Sequence, residues 1–274
     1  MGYEWADSFR GDRINEVLKS NNHITINDMK ALQTDYFSIP ARSFVPLLKD
    51  ISFNAPLEKE AKQLVLSWNL VMNKESIAAG IYAMWEQQIM LLANKKWVPD
   101  NLKTFLHFQD SKVINKLYHP ELMGSTDRDI FIKESFANAI EALKKKLGPS
   151  TTGWVYGQEN YKHITLVHQL SGLVDKNMRK TLNIGPLPRG GNSYTPGSTG
   201  GADNQQSGAS FRLIIDTGDW DKAFMINTPG QSGNPESLYY KNLFPLWAND
   251  QYFPAFYSRE KVLKVVKERL TLNP

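Results

Sequence analysis

The chain has 274 residues with 41% hydrophobic content, enough to bury a sizeable core as one large domain or two small ones. No apolar run approaches the roughly 20 residues of a membrane span, and the opening MGYEWADSFRGDR carries charges where a signal peptide needs its apolar region, so neither is expected in these residues. The net charge of +4 comes from scattered Lys and Arg without a basic stripe or base-stacking motif, which argues against nucleic-acid and membrane partners, and the absence of cysteine removes disulfides, thiolate metal sites and a cysteine nucleophile while leaving the compartment open.

In chain order, residues Tyr3 to Leu18 read as a loop delivering the chain into a short helix. Thr25 to Asp28 match a capping box, followed by Met29, Leu32 and Tyr36 at helical spacing, with Pro40 expected to stop that helix. From Leu57 to Met72 the positions Ala61, Leu64, Val65, Trp68 and Met72 predict a helix packed on one side. Ser76 opens the next helix, whose stripe of Ile77, Ile81, Met84, Trp85, Ile89 and Leu92 is too wide for a surface helix and predicts the central one. A third long helix is expected from a capping box at Thr126 to Asp129, with Ile132, Phe136, Ile140, Leu143 and Leu147 inward and Gly148-Pro149 as its end. The run Lys144 to Lys146 then sits in its last turn, where cations complement the macrodipole.

Composition changes after that point. A strand is expected around Ile164 to Val167, and residues 186–208 are rich in Gly, Ser, Asn and Pro without periodicity, which predicts either a functional surface or a mobile loop. Phe211, Leu213 and Ile215 then alternate with Arg212, Ile214 and Asp216, the period of a strand with one buried face. A turn at Thr217 to Asp219 joins it to a second strand over Lys222 to Asn227, so the two read as antiparallel neighbours ended by Pro229-Gly230. Ser258 to Leu270 reads as a helix with Val262, Val265, Val266 and Leu270 on its inner side. The order predicts an α+β fold: a mainly helical segment over 1–150 and a strand-rich segment over 151–274, forming one structural unit.

Few side-chain patterns carry chemistry by themselves. His163 and His168 fall on opposite faces if the segment between them is a strand, so they are expected to be structural and not to share a metal. Ser232 in Gly230-Gln231-Ser232-Gly233 has two readings: a nucleophile in a glycine-flanked turn, or a turn whose serine bonds the backbone; the spacing is not that of a nucleophile elbow, which favours the turn. The loop Gly197 to Gly208 lacks the alternating carboxylates of a calcium loop, and Trp85 and Trp247 are expected in the core.

Four segments together are more specific: YEWADSFRGDRI from Tyr3, GWVYGQENYKHITLVHQL from Gly153, the Gly190-Gly191-Asn192 turn, and GASFRLIID…PGQSG…SLYYKNLFPLW from Gly208. In this order and spacing the chain resembles the penicillin acylase family of amino-terminal-nucleophile hydrolases, and within it the carboxy-terminal half of the catalytic chain. The resemblance implies an αββα sandwich, a precursor that cuts itself, and cleavage of a linear acyl amide by a first residue whose own α-amino group acts as base. It further implies that the nucleophile, the oxyanion-hole donors and most of the acyl pocket lie in the missing amino-terminal half of the catalytic chain. That half and the small spacer-separated chain are then the partners, and this chain alone is expected to be inactive. Self-association through surface left uncovered is expected as well.

Arg13 is the one active-site position the resemblance places in this chain, in a supporting role toward the polar network of the site; its alternative is a surface ion pair with Asp12 or Glu16. Glu4 lies near a calcium-binding carboxylate of some members, but the local match does not carry that role over. No cofactor is expected in this fragment, calcium stays open for the full-length enzyme, and β-lactam, acyl-homoserine lactone and acyl-peptide substrates stay open too. The resemblance implies a periplasmic or extracellular parent. Two other readings remain: a non-catalytic binding or assembly module presenting the Gly190 to Gly208 loop, and a serine hydrolase acting through Ser232.

Overall fold

The computed structural model describes residues 6–124 and 127–272, so Tyr3, Glu4 and Thr126 lie outside the described residues. The chain is helical first and antiparallel-stranded later, as the patterning predicts. Two compact units draw on interleaved segments: one comprises residues 1–20, 35–165 and 186–208, the other residues 21–34, 166–185 and 209–274. The expected division at residue 150 is one of secondary structure along the chain, whereas these units are defined by which residues pack together.

In the first unit the helix Ile77–Trp97 is central, with ten buried residues. It starts where the sequence says it should, because Ser76 Oγ accepts the Ala79 amide at 3.1 Å and so satisfies a donor the first turn leaves orphaned. Its main neighbour is the helix Arg128–Leu147, opened by Asp127, whose Oδ1 accepts the Ile130 amide at 2.8 Å, and closed by Gly148 at φ 95°. Between them Trp85 and Phe136 meet edge to face at 5.5 Å, and Trp85 Nε1 donates to Ser135 Oγ at 3.0 Å, so the ring is buried without stranding its one polar atom.

Gly80 is bare for a reason outside the helix. A Cβ there would lie 2.0 Å from the carbonyl oxygen of Trp154, and the close approach lets the Tyr156 amide reach the Ser76 carbonyl at 3.1 Å.

Several boundaries differ from the pattern. The helix after Thr25 ends at Gln33, and Pro40 does not stop it: Pro40 lies in the first turn of a further helix, Ile39–Phe44, capped by Ser38, where a missing amide costs nothing. The helix over 57–72 is Pro56–Leu66; beyond it Asn69 Oδ1 takes the Val71 amide at 3.1 Å, a local bond that competes with helix, and Met72 is buried outside it. The opening helix is longer than expected, Phe9–Ser20, and a helix over Asp110–Tyr118 was not foreseen.

The loop over 186–208 is anchored by buried residues, while its remainder stays at the surface. Arg189, Thr195, Thr199 and Gln205 are buried, Thr199–Gly200 pairs antiparallel with Ser207–Gly208, and the Gly191 amide donates to the Met72 carbonyl at 2.8 Å. Gly191, at φ 75°, has the Tyr36 ring 2.6 Å from where a Cβ would be.

In the second unit Arg212–Asp216 and Asp219–Ile226 form the expected antiparallel pair, with Leu213 opposite Met225, and Phe253–Pro254 adds a third strand. Its buried face is that of Arg212 and Ile214, while Phe211, Leu213 and Ile215 are 48%, 38% and 42% exposed. The arginine can go inside because its charge is met: Nη1 donates to Asp250 Oδ1 at 2.9 Å and Nη2 to the Trp247 carbonyl at 2.8 Å. The last helix is Arg259–Val265, and the inner face assigned to it is a correction: Val262, Val265, Val266 and Leu270 are all exposed, with Leu270 at 83%.

The first unit also takes acids out of water, Asp110 fully and Glu86 in part. Tyr82 Oη donates to Glu86 Oε1 at 2.5 Å and Tyr194 Oη to Asp110 Oδ2 at 2.6 Å, and Asp110 is only 3% exposed, with its Oδ1 unpartnered among the described residues. Burial first, and the Asp110 charge second, push Glu86 from 4.5 up to about 8; burial likewise pushes Asp110 up, with the Tyr194 bond opposing. Acids that hold their proton more tightly folded than unfolded favour the fold at low pH, and that contribution is lost as pH rises from 4.5 toward 8.

Two predictions follow from packing and burial. Gly80→Ala should destabilise the chain by about 3 kcal/mol, because backbone on both sides blocks relaxation; an unchanged denaturant midpoint would contradict the close approach. Glu86→Gln should raise Tm at pH 8.5 by about 2–4 °C, the equivalent of roughly 1 kcal/mol, with a smaller gain at pH 5; calorimetry at both values checks it, and an equal gain at both would contradict the raised carboxyl.

Candidate functional site

Arg13 stands on the helix Phe9–Ser20, whose first turn is fixed by Ser8 Oγ donating to Asp12 Oδ2 at 2.7 Å. Its side chain is 25% exposed, and Nε donates to Asp35 Oδ2 at 2.8 Å. The guanidinium carbon lies 4.5 Å from the centre of the Phe37 ring, within cation–π range. Glu16 is 3.7 Å from Nη1, too far for a hydrogen bond, because its carboxylate is taken by both terminal nitrogens of Arg42 at 2.6 and 3.1 Å. The Arg42 bonds come first in holding the Glu16 carboxyl below its ordinary value, with burial opposing. Of the two carboxylates expected beside Arg13, Asp12 serves Ser8, and Glu16 keeps a long ion pair to Arg13 at 3.7 Å while its close bonds go to Arg42; the hydrogen-bonded partner of Arg13 is Asp35.

Asp35 is itself restrained. Oδ1 accepts the Phe37 amide at 2.6 Å, and its carbonyl accepts the Gly197 amide at 2.9 Å, joining it to the polar loop. The same loop receives Arg10, whose Nη1 donates to Ser198 Oγ at 3.2 Å.

A second polar site lies in the same unit. A cleft of about 230 Å³ is lined by Glu86, Tyr156, Lys162, Asn192 and Tyr194 among others. Lys162 Nζ donates to the Ala202 carbonyl at 2.6 Å, and burial lowers its pKa while Asp203 and Glu86 oppose the shift. A carboxyl inclined to keep its proton thus faces an amine inclined to lose one. Tyr82, Tyr156 and Tyr194 are all raised by burial and stay neutral donors.

The other sequence candidates fall into structural roles. Ser232 Oγ accepts the Asn234 amide at 3.1 Å, while the Gln231 and Ser232 amides both donate to the Tyr239 carbonyl at 2.8 and 3.1 Å. Gly230 is needed there, since a Cβ would lie 2.1 Å from that carbonyl oxygen, so the GQSG turn serves backbone packing. His168 Nδ1 accepts the Leu170 amide at 3.1 Å and caps a short turn; His163 uses its backbone, with Asp203 and Gln205 as partners. Among the described residues no three His, Cys, Asp or Glu side chains are grouped to hold a metal ion. Asp203, the acid of the Gly197 to Gly208 loop, pairs with Lys146 at 2.5 Å. Trp85 and Trp247 are buried, and no helix among the described residues is long and apolar enough to cross a membrane.

The sequence singles out Arg13 but not Asp35, Glu86, Asp110 or Tyr194, which the structure brings into the two polar sites. For Glu86 a signal existed: it follows Tyr82 by one turn on the central helix, so the two can meet.

Comparison with known proteins places the chain in a family. The profile of the penicillin amidase family matches residues 1–264. The acyl-homoserine lactone acylase QuiP of Pseudomonas fluorescens is 25% identical over 311 residues, covering 100% of this chain and 36% of that protein. Penicillin acylase 2 proenzyme of a Pseudomonas species is 22% identical over 267 residues, covering 93% of this chain and 34% of that protein. A thermostable penicillin G acylase from Alcaligenes faecalis has the same fold at a TM-score of 0.58 and 12% identity, over 99% of this chain and 53% of that one. The chain thus spans about a third of the length of these curated relatives, and it belongs to the penicillin amidase family.

Proposed function

We propose that this chain is the carboxy-terminal part of an amidohydrolase that cleaves a linear acyl amide into an acid and an amine. The family match over residues 1–264 carries the reading, supported by relatives whose names are those of acylases. The 36% and 34% coverage of those relatives supports the view that the nucleophile and most of the acyl pocket belong to the remaining length. The chain then acts with that remaining polypeptide, in a periplasmic or extracellular setting, and does no chemistry alone.

Within this reading Arg13 supports the acyl-transfer centre. Charge develops on the substrate oxygen only in the transition state, and groups that stabilise it must be oriented beforehand. A guanidinium suits the role, being always protonated with donors in a fixed fork. The partial packing of the Gly190 to Gly208 loop weighs against the binding-module alternative, because Thr195, Thr199 and Gln205 are buried and hydrogen-bonded within the chain.

Two outcomes are expected. The isolated chain should release no amine from phenylacetyl or long-chain acyl amides, while the longer polypeptide should; turnover by the isolated chain that disappears in Ser232→Ala would overturn the assignment in favour of a serine hydrolase. In the longer enzyme Arg13→Ala should lower kcat by about 10²–10³, the scale of losing one oxyanion donor, with a smaller change in KM. Wild-type kcat in that variant would reduce Arg13 to a structural ion pair.

A further inference from the structure

An arginine on a surface helix ordinarily samples many rotamers, and a charge that wanders stabilises nothing in particular. Arg13 is restrained on two sides: Asp35 takes its Nε edge at 2.8 Å, and its guanidinium carbon lies over the Phe37 ring, 4.5 Å from the centre. Nη1 has only the long ion pair to Glu16 at 3.7 Å and Nη2 makes no hydrogen bond among the described residues, so the outer end of the fork keeps donors to offer while the inner edge is tied. We infer that Asp35 is the positioning residue for Arg13, fixing the guanidinium so that its free Nη edge is presented in one direction; this rests on the acylase reading above.

Asp35 is built for that task. Its side chain is 15% exposed, so the pair is shielded from the screening that makes surface ion pairs weak. Its two carboxylate oxygens do different work, Oδ1 accepting the Phe37 amide at 2.6 Å and Oδ2 accepting Arg13 Nε. The Phe37 bond closes a local turn that sets the carboxylate and the ring at once, since both belong to the same three-residue stretch. The Gly197 amide on the Asp35 carbonyl then ties that stretch to the buried loop. Arg42 shows the contrast: it is 47% exposed, the Phe37 ring is farther from its guanidinium at 5.8 Å, and both terminal nitrogens are consumed by Glu16.

The test is a double-mutant cycle in the longer acylase that contains this chain, reading kcat and KM for one acyl amide together with the melting temperature. Asp35→Asn keeps the shape but replaces a charged acceptor, and it should lower kcat about tenfold with KM nearly unchanged, the loss of one charge-assisted bond. In the Arg13→Ala background the same change should cost less than about twofold, because the residue acts through Arg13. Asp35→Glu, which keeps the charge and shifts it by one methylene, should fall between, and it serves where the asparagine variant does not mature. Equal kcat losses in both backgrounds, or losses that follow the melting temperature alone, would overturn the positioning role while leaving the acylase reading intact. Wild-type kcat in Arg13→Ala would instead overturn the role of Arg13, and that of Asp35 with it.

Discussion

The helical unit depends on burying Trp85. The ring lies between the helices Ile77–Trp97 and Arg128–Leu147, with Phe44, Tyr82 and Phe136 around it and Ser135 on its nitrogen. Deleting such a residue costs about 3–5 kcal/mol, a large share of a domain's net stability. The tight packing has a consequence one turn earlier: Gly80 can carry no side chain, and the bare backbone receives Trp154 and Tyr156. Tyr161 Oη then donates to the Gly80 carbonyl at 2.9 Å, and Tyr156 Oη to the Gly191 carbonyl at 2.5 Å. Apolar packing of one helix thereby fixes the polar loop that holds Asp35.

Buried polarity is the second constraint, and it is met unevenly. In the second unit the inward Arg212 finds a carboxylate and a carbonyl. In the first unit a buried and a half-buried carboxylate, Asp110 and Glu86, take phenols as donors, and the folded chain answers the shortage by holding protons more tightly. The Arg13 and Asp35 pair is a third solution, opposite charges at one edge and an aromatic face at another, with the remaining nitrogen left over.

Much of the scaffold was legible because it depends on local chemistry. Thr25 with Asp28, and Ser76, are caps whose bonds close within a few residues, and the hairpin around Thr217-Gly218 needs only alternation and a turn. What was illegible depends on distant partners. Pro40 reads as a stop or a start with equal right until Ser38 is seen to cap a new helix. The alternation over Phe211 to Asp216 reveals two faces, but only Asp250 decides that the arginine face goes inside. The Asp110–Tyr118 helix has Val113 and Leu117 at helical spacing, yet lies in a polar stretch that hides them. Arg13 is singled out by resemblance and not by periodicity; Asp35, twenty-two residues away, carries no local mark that separates it from any other turn-forming aspartate.

The central claim is that Arg13 is held still, presenting its free edge in one direction. Nitrogen-15 relaxation at the Nε–Hε group of Arg13 in this chain measures that immobility. The account predicts an order parameter close to that of rigid backbone, about 0.85, and a marked drop in Asp35→Asn. A value below about 0.6 in the unsubstituted chain would mean a freely moving surface side chain, and would contradict it.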